Sequence, residues 1–190
     1  MDRSATPADI PSRQPREIRL ADGTPVLLRP VLPEDKEYLQ SGMARLSPDS
    51  RYWRFMAPLS KLSPEWLRYL TEIDYHNHFA LGALVINQTP PLGIAIARYV
   101  RDPNHPTVAE PAVTVVDDYQ GHGLGSLLLG LLIDDARAHG IIRFRAFLLA
   151  ENGAMKRLFL KQGAHFTNQG DGILSAEFPL REKQQEPPAG

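Results

Sequence analysis

The sequence has no cysteine in its 190 residues. That absence excludes disulfides, thiolate nucleophiles and Cys-ligated metal sites, and it fits a reducing compartment. No apolar run approaches the roughly 20 residues that a membrane-spanning helix needs. The opening Met1-Asp2-Arg3-Ser4-Ala5-Thr6-Pro7 lacks the apolar core of a secretory signal. Charge of one sign is not in excess either. With a formal net charge of −1, no overall field draws the chain to nucleic acid or to an acidic membrane. The expectation is a cytoplasmic protein with neither of those partners.

What is present suffices for one domain. Hydrophobic residues make up 43% of the chain, enough to fill a single core at this length. Residues 1–16, rich in Pro, Ser, Asp and Arg, and residues 181–190 offer little to bury and are expected to be disordered tails. The folded domain is expected over residues 17–180.

Within it, Val26 to Arg29 reads as a strand that Pro30 stops. Pro33-Glu34-Asp35 opens a helix, with Leu39, Met43 and Leu46 at helical spacing. Ser63-Pro64-Glu65 opens another, on which Trp66, Leu70 and Ile73 are expected to share a face. Phe79 to Ile86 is almost wholly apolar, as a strand buried on both faces would be. Gly93 to Arg101 returns from it, and Ala112 to Val116 follows after a Pro- and Asp-rich loop. A helix over residues 124–139, a strand over residues 142–148, a helix over residues 152–162 and a last strand over residues 173–180 complete the pattern. Hairpins first and strand–helix–strand units later predict an α+β, or mixed α/β, fold.

The informative segment is the turn Gln120-Gly121-His122-Gly123-Leu124-Gly125-Ser126, between a β-branched strand and a Leu-rich helix. Alternating glycines permit positive φ and close approach of the backbone. The free N–H groups at the helix start then suit a phosphate, and a pyrophosphate is the natural guest. A P-loop is excluded because no Lys follows the glycines. A dinucleotide fingerprint fits poorly, because Ser126 stands where its third glycine belongs.

Gln120, Gly123 and Gly125 match the acyl-CoA loop Gln/Arg-x-x-Gly-x-Gly/Ala. Here the sequence resembles the GNAT superfamily of N-acetyltransferases, roughly over residues 17–180. The segment from Asn152 to Ala164 is similar to that family's Asn-containing helix ending in glycine. Arg29-Pro30, Leu46 to Tyr52 and Ala109 to Val113 further resemble the catalytic domain of bacterial protein lysine acetyltransferases. The resemblance implies a central, mostly antiparallel sheet, splayed at the acyl-CoA site and flanked by helices. It implies acetyl-CoA as acyl donor, with Val113 and Val115 pairing through their backbone with pantetheine. Gln120, Gly121, His122, Gly123, Leu124, Gly125 and Ser126 would hold the pyrophosphate, and Asn152 would contact the cofactor or cap its helix.

A Lys amine has a pKa near ~10.4, so on the order of one in two thousand is neutral at pH 7, and a base must take its proton. The resemblance puts that base at Glu110, which the residues alone also permit to be a solvated acid at a strand end. The family often places a Tyr seven residues beyond the Asn, and this chain has Phe159 there. No metal is expected, since His76 and His78 have no third ligand and are expected to pack. Asp117-Asp118 reads as a solvated turn, and Arg51-Tyr52-Trp53-Arg54-Phe55 as a structural aromatic cluster ahead of a substrate groove. The acceptor is expected to be a protein lysine. A small-molecule amine and a non-catalytic acyl-CoA sensor are the alternatives.

Overall fold

Among the described residues eight strands join in one sheet, and hairpins account for most of its order. The strands are β1 (Arg16–Arg19), β2 (Pro25–Pro30), β3 (His78–Val85), β4 (Leu92–Arg101), β5 (Val108–Val115), β6 (Arg143–Leu149), β7 (His165–Gly170) and β8 (Ile173–Pro179). They lie in the order β1-β2-β3-β4-β5-β6-β8-β7. Every neighbouring pair is antiparallel except β5 and β6, which are parallel. The helices are α1 (Lys36–Ala44), α2 (Pro48–Phe55), α3 (Pro64–Thr71), α4 (Leu124–Ala138) and α5 (Gly153–Leu160). This computed structural model describes residues 13–180. Most of the two expected tails, residues 1–12 and 181–190, lies outside the described residues.

Residues 13–16, expected in the N-terminal tail, belong to the fold. Arg13 Nε donates to Asp135 Oδ2 at 2.8 Å, and its guanidinium lies 4.9 Å from the centre of the Phe79 ring. Arg16 then begins β1. This strand and β7 are the sheet's two edges, and the alternation of apolar residues is weak in both, so neither was expected. An edge strand has only one strand neighbour, and β7 buries almost nothing.

The two faces of the sheet are covered differently. α4 packs against β3, β4 and β5, and its buried Asp135 accepts a hydrogen bond from the Tyr99 hydroxyl at 2.8 Å. On that face Tyr99, Phe144, Phe178 and Phe159 form a chain of ring contacts at 6.1, 5.7 and 5.1 Å, running from β4 through β6 and β8 to α5. The opposite face of β4 lies under α1 and α3, where Met43, Leu46, Leu62 and Leu70 form a smaller core.

Helix starts follow the sequence closely. Ser63 Oγ accepts from Trp66 N–H at 3.2 Å and Pro64 occupies the first turn. Ser47-Pro48-Asp49 carries the same signal and opens α2, a helix not expected, with Ser47 Oγ accepting from Ser50 N–H at 3.1 Å. The expected inner face of α3 is corrected. The helix ends at Thr71, Leu67 and Leu70 face inward, and Trp66 is exposed. β5 begins at Val108, four residues before the expected Ala112, so Glu110 sits inside the strand.

Candidate active site

β5 and β6 pair at only two positions, Val108 with Arg143 and Ala109 with Phe144. The sequence explains the break. Val116 N–H donates to Ile94 O on β4 at 2.9 Å, so the alternation of a strand turns residues 109, 111, 113 and 115 toward β6. Position 111 is proline, which has no N–H to donate, and the ladder stops beside it. Beyond that point the strands diverge, and Val113 presents its N–H and C=O to the gap with no strand partner. A groove of about 1620 Å³ of empty space lies here, walled by β5, β6, the Gly-rich turn and α5.

At its far end the turn Gly121-His122-Gly123 leads into α4. Gly121 and Gly123 adopt φ of +80° and +79°, which L side chains rarely tolerate, and Gly123 is the N-cap. The first helical bond runs from Leu127 N–H to Gly123 O at 3.1 Å. The amides of Leu124, Gly125 and Ser126 therefore have no helical acceptor, and no acidic side chain occupies the first turn. A Cβ on Gly125 would meet Val113 and Val115 at 3.8 Å, an ordinary contact, so the helix start rests on β5 with room for a methyl group. Arg157 on α5 and Lys161 at its C-terminal cap, one turn apart, add two cations to the groove wall. Unpaired strand backbone, free helix-start amides and flanking cations together fit an extended diphosphate ligand.

Glu110 is the first residue past the β5–β6 pairing and lines the groove. Partial burial pushes its carboxyl above the ordinary value, and the positive charge of Arg54 opposes that rise. Gln120 also lines the groove, but its side-chain amide donates to Val115 O at 3.1 Å. Asn152 is buried and caps α5, its Oδ1 accepting from Met155 N–H at 3.0 Å, while it also lines the groove. His122 does not line it. Its ring folds back onto Gln120 O, with Nδ1 at 2.9 Å. Phe159 is buried against Phe178 and has no proton to give.

The chain's likeness to known proteins matches this geometry. Residues 42–164 match the Acetyltransferase (GNAT) family. The chain belongs to the GNAT acetyltransferase family. It is 38% identical over 163 residues to Acetyltransferase Pat of Mycolicibacterium smegmatis, covering 86% of this chain and 48% of that protein. The chain thus spans about half the length of that relative. Acetyltransferase PA5475 of Pseudomonas aeruginosa is also 38% identical, over 152 residues and 80% of each chain. The crystal structure of the GNAT domain of S. lividans PAT superposes with a TM-score of 0.77 at 31% identity, covering 87% of this chain and 96% of that one. Its relatives are named acetyltransferases, and the GNAT family uses acetyl-CoA as acyl donor. The α+β fold expected from the resemblance is the fold found.

Other parts of the groove were not read from sequence. Asp117 is no solvated turn residue. Its carboxylate accepts from Ser47 N–H and Ser50 Oγ, both at 2.9 Å, and so ties α2 to the turn, while Asp118 pairs with Arg45 at 3.2 Å. Ser50, Trp53 and Arg54 of α2 line the groove as well. The capping signal at Ser47 was the available clue to that helix. His78 meets Arg98, with 3.0 Å between its Nε2 and the guanidinium, and His76 lies edge-on to His139. Among the described residues no helix is long and apolar enough to cross a membrane.

Proposed function

We propose that this chain moves an acetyl group from acetyl-CoA to the primary amine of a protein lysine, with Glu110 as general base. The observation that carries this reading is the position of Glu110. The strand ladder ends at Ala109, and the next residue is the carboxylate, at the place where the groove opens. A thioester lying along β5 supplies an activated acyl carbon within reach of that carboxyl.

The roles of the chain's own groups follow from their chemistry. The Leu124, Gly125 and Ser126 amides hold the pyrophosphate, helped by Gly121 and Gly123, which shape the turn. Val113 and Val115 extend the sheet to pantetheine through their backbone, and Val113 N–H polarises the thioester carbonyl and stabilises negative charge on its oxygen. Glu110 accepts the ammonium proton, directly or through one water, and its raised pKa makes it a better base than an ordinary glutamate. Phe159 donates nothing, and a thiol with a pKa near ~8.5 leaves readily as thiolate. Asn152 orients the start of α5 beside the cofactor. His122, turned back on its own loop, contributes only backbone. The lysine acceptor draws its support from the relatives named Pat and from the open groove mouth beside Glu110. The compartment we propose is the cytoplasm.

The test combines chemistry and identification. Glu110→Gln should lower kcat with amine acceptors by about 10²–10⁴-fold, with acetyl-CoA binding by calorimetry unchanged. Lysate proteins incubated with isotopically labelled acetyl-CoA and the protein should carry label on lysines. Label confined to small amines would reject the protein acceptor, and binding without any transfer would reject the enzyme.

A further inference from the structure

On the sheet face that carries Glu110, a second, narrow cavity lies between β4 and the helices α1 to α3. Most of its wall is apolar, with Leu39, Met43, Leu70 and Ile94 among its lining. Arg54 and Thr114 line both this cavity and the acyl-CoA groove, so the two share a wall. Arg98 also lines the cavity, on the face of β4 that Glu110 shares on β5, since Arg98 pairs with Ala112 and Val100 with Glu110.

Among the described residues neither arginine forms an ion pair. Arg98 is only 4% exposed. Its guanidinium donates to Leu70 O at 3.2 Å and lies 3.0 Å from His78 Nε2. A guanidinium only donates, so His78 accepts at Nε2 and its ring is neutral there. Burial and Arg98 push the His78 pKa down to about 4, in agreement with that geometry. Arg98's partners are thus a neutral ring and a carbonyl near the C-terminal end of α3, which supplies a partial charge at most.

Arg54 has less. It lies 5.0 Å from the centre of the Phe55 ring and makes no hydrogen bond or ion pair with another described residue. It feels the charge of Glu110 without forming an ion pair with it. Burial and then Arg54 press the Arg98 guanidinium down to about 9, still protonated at neutral pH. Two cations, one carboxylate and a neutral histidine sum to one positive charge in a partly desolvated place. An incoming ammonium would add a second. Charge balance in such a place calls for an anion that arrives with the amine.

We propose that the acceptor's amine comes with a carboxylate, which Arg54 holds at the shared wall of the two cavities, with the charge of Arg98 behind it. This inference rests on the reading of Glu110 as the base at the acceptor end. The carboxylate chemistry has two sources, an acidic side chain beside the target lysine or the α-carboxylate of a free amino acid. The guanidinium plane of Arg54 suits either one. Arg54 is thereby a specificity-determining residue, and the arginine pair selects against acceptors whose amine has only neutral or cationic neighbours.

The experiment uses matched pairs of acceptors with the whole protein. One pair is a peptide containing Gly-Lys-Glu against the same peptide with Gln for Glu. The other pair is free lysine against lysinamide. In at least one pair the carboxylate member should show kcat/KM about tenfold higher, mainly through KM. The pair that discriminates identifies the source. Arg54→Gln should abolish the difference and Arg54→Lys should keep most of it. Thr114→Asp, which puts a carboxylate into the shared wall, should also abolish it, and it decides the matter if Arg54→Gln does not fold. Equal kcat/KM within both pairs, or a preference that survives Arg54→Gln, overturns the inference and leaves acetyl transfer standing. Calorimetry of the same compounds with the CoA-saturated protein reads the site without turnover. Discriminating binding with no acetylated product overturns Glu110 as base and keeps the carboxylate site. Neither binding nor turnover of any member overturns the inference.

Discussion

The side-chain amide of Gln120 is bonded to the carbonyl of Val115, 3.1 Å away. It closes the Gly-rich turn onto the strand that leads into it, so this glutamine acts inside the protein as a brace. One lost hydrogen bond of this kind is worth about 1 kcal/mol, or roughly fivefold in affinity. Gln120→Ala should therefore raise the acetyl-CoA KM by about that factor and leave kcat close to wild type. Steady-state titration of the donor checks it.

As the proposed base, Glu110 should set a pH limb. The base works only when ionised, so activity should rise with pH through its raised pKa, above the ordinary 4.5. Arg54 holds that pKa down against burial. Arg54→Gln should shift the acidic limb of kcat/KM to higher pH, read with a neutral amine acceptor. An unmoved limb would separate Arg54 from Glu110.

The glycines should respond differently to the same substitution. Gly123 has φ of +79° with open space around it, so Gly123→Ala strains the backbone without a clash. A cost of about 1–2 kcal/mol should lower Tm by roughly 3–6 °C and weaken acetyl-CoA binding. Gly125 has ordinary helical backbone and room for a methyl group, so Gly125→Ala should keep both fold and binding. Gly125→Glu should abolish binding, because its bulk and charge fall at the diphosphate site. Calorimetry with acetyl-CoA distinguishes the three.

Asp74 ties together the segment before β3, accepting from the amides of His76, Asn77 and His78 at 2.9, 2.8 and 2.8 Å. Burial pushes its carboxyl up, but these donors hold the pKa down at about 2, below its ordinary 3.8. A depressed native pKa stabilises the fold fully above the unfolded value, and that contribution fades as pH falls through the native one. Between about pH 4 and pH 2 the wild type should lose Tm more steeply than Asp74→Asn, followed by thermal melts across that range.

Tyr99 and Asp135 are both buried, and the phenol donates to the carboxylate at 2.8 Å. Tyr99→Phe leaves that oxygen with one donor fewer. The expected cost is about 1.5–3 kcal/mol, with acetyl-CoA affinity unchanged because the pair lies outside the groove. Denaturant unfolding and donor binding, measured together, check both halves.

The parts of this protein that local patterning specifies were legible. The inner strands β2 to β6 and β8 carry apolar runs or alternation, and the Gly-rich turn, α4 and α5 have strong start and stop signals. Glu110 and the backbone of Val113 and Val115 were singled out by resemblance, since a lone glutamate looks alike in any strand. The edges β1 and β7 were not legible, because a strand with little to bury has a mixed sequence. Arg54 was read as part of an aromatic cluster, and Phe55 does pack edge-on to Trp66 at 6.2 Å. The arginine's position on two cavities depends on where α2 docks, and the Asp117 tether across about 70 residues of sequence sets that. Such long-range contacts leave no local pattern.

The seam between β5 and β6 has consequences for how the molecule responds to its donor. With only two rungs there, the halves on either side cohere through rings such as Tyr99 and Phe144, and those contacts leave the main chain of Val113 without a strand partner across the seam. A bound donor running along the seam would act as a ninth strand shared by both halves. Deuterium uptake should then slow at Val113 and Val115 on loading, while β3, already paired on both sides, keeps its rate. Occupancy would be recorded as local stiffness, at residues whose side chains take no part in the chemistry.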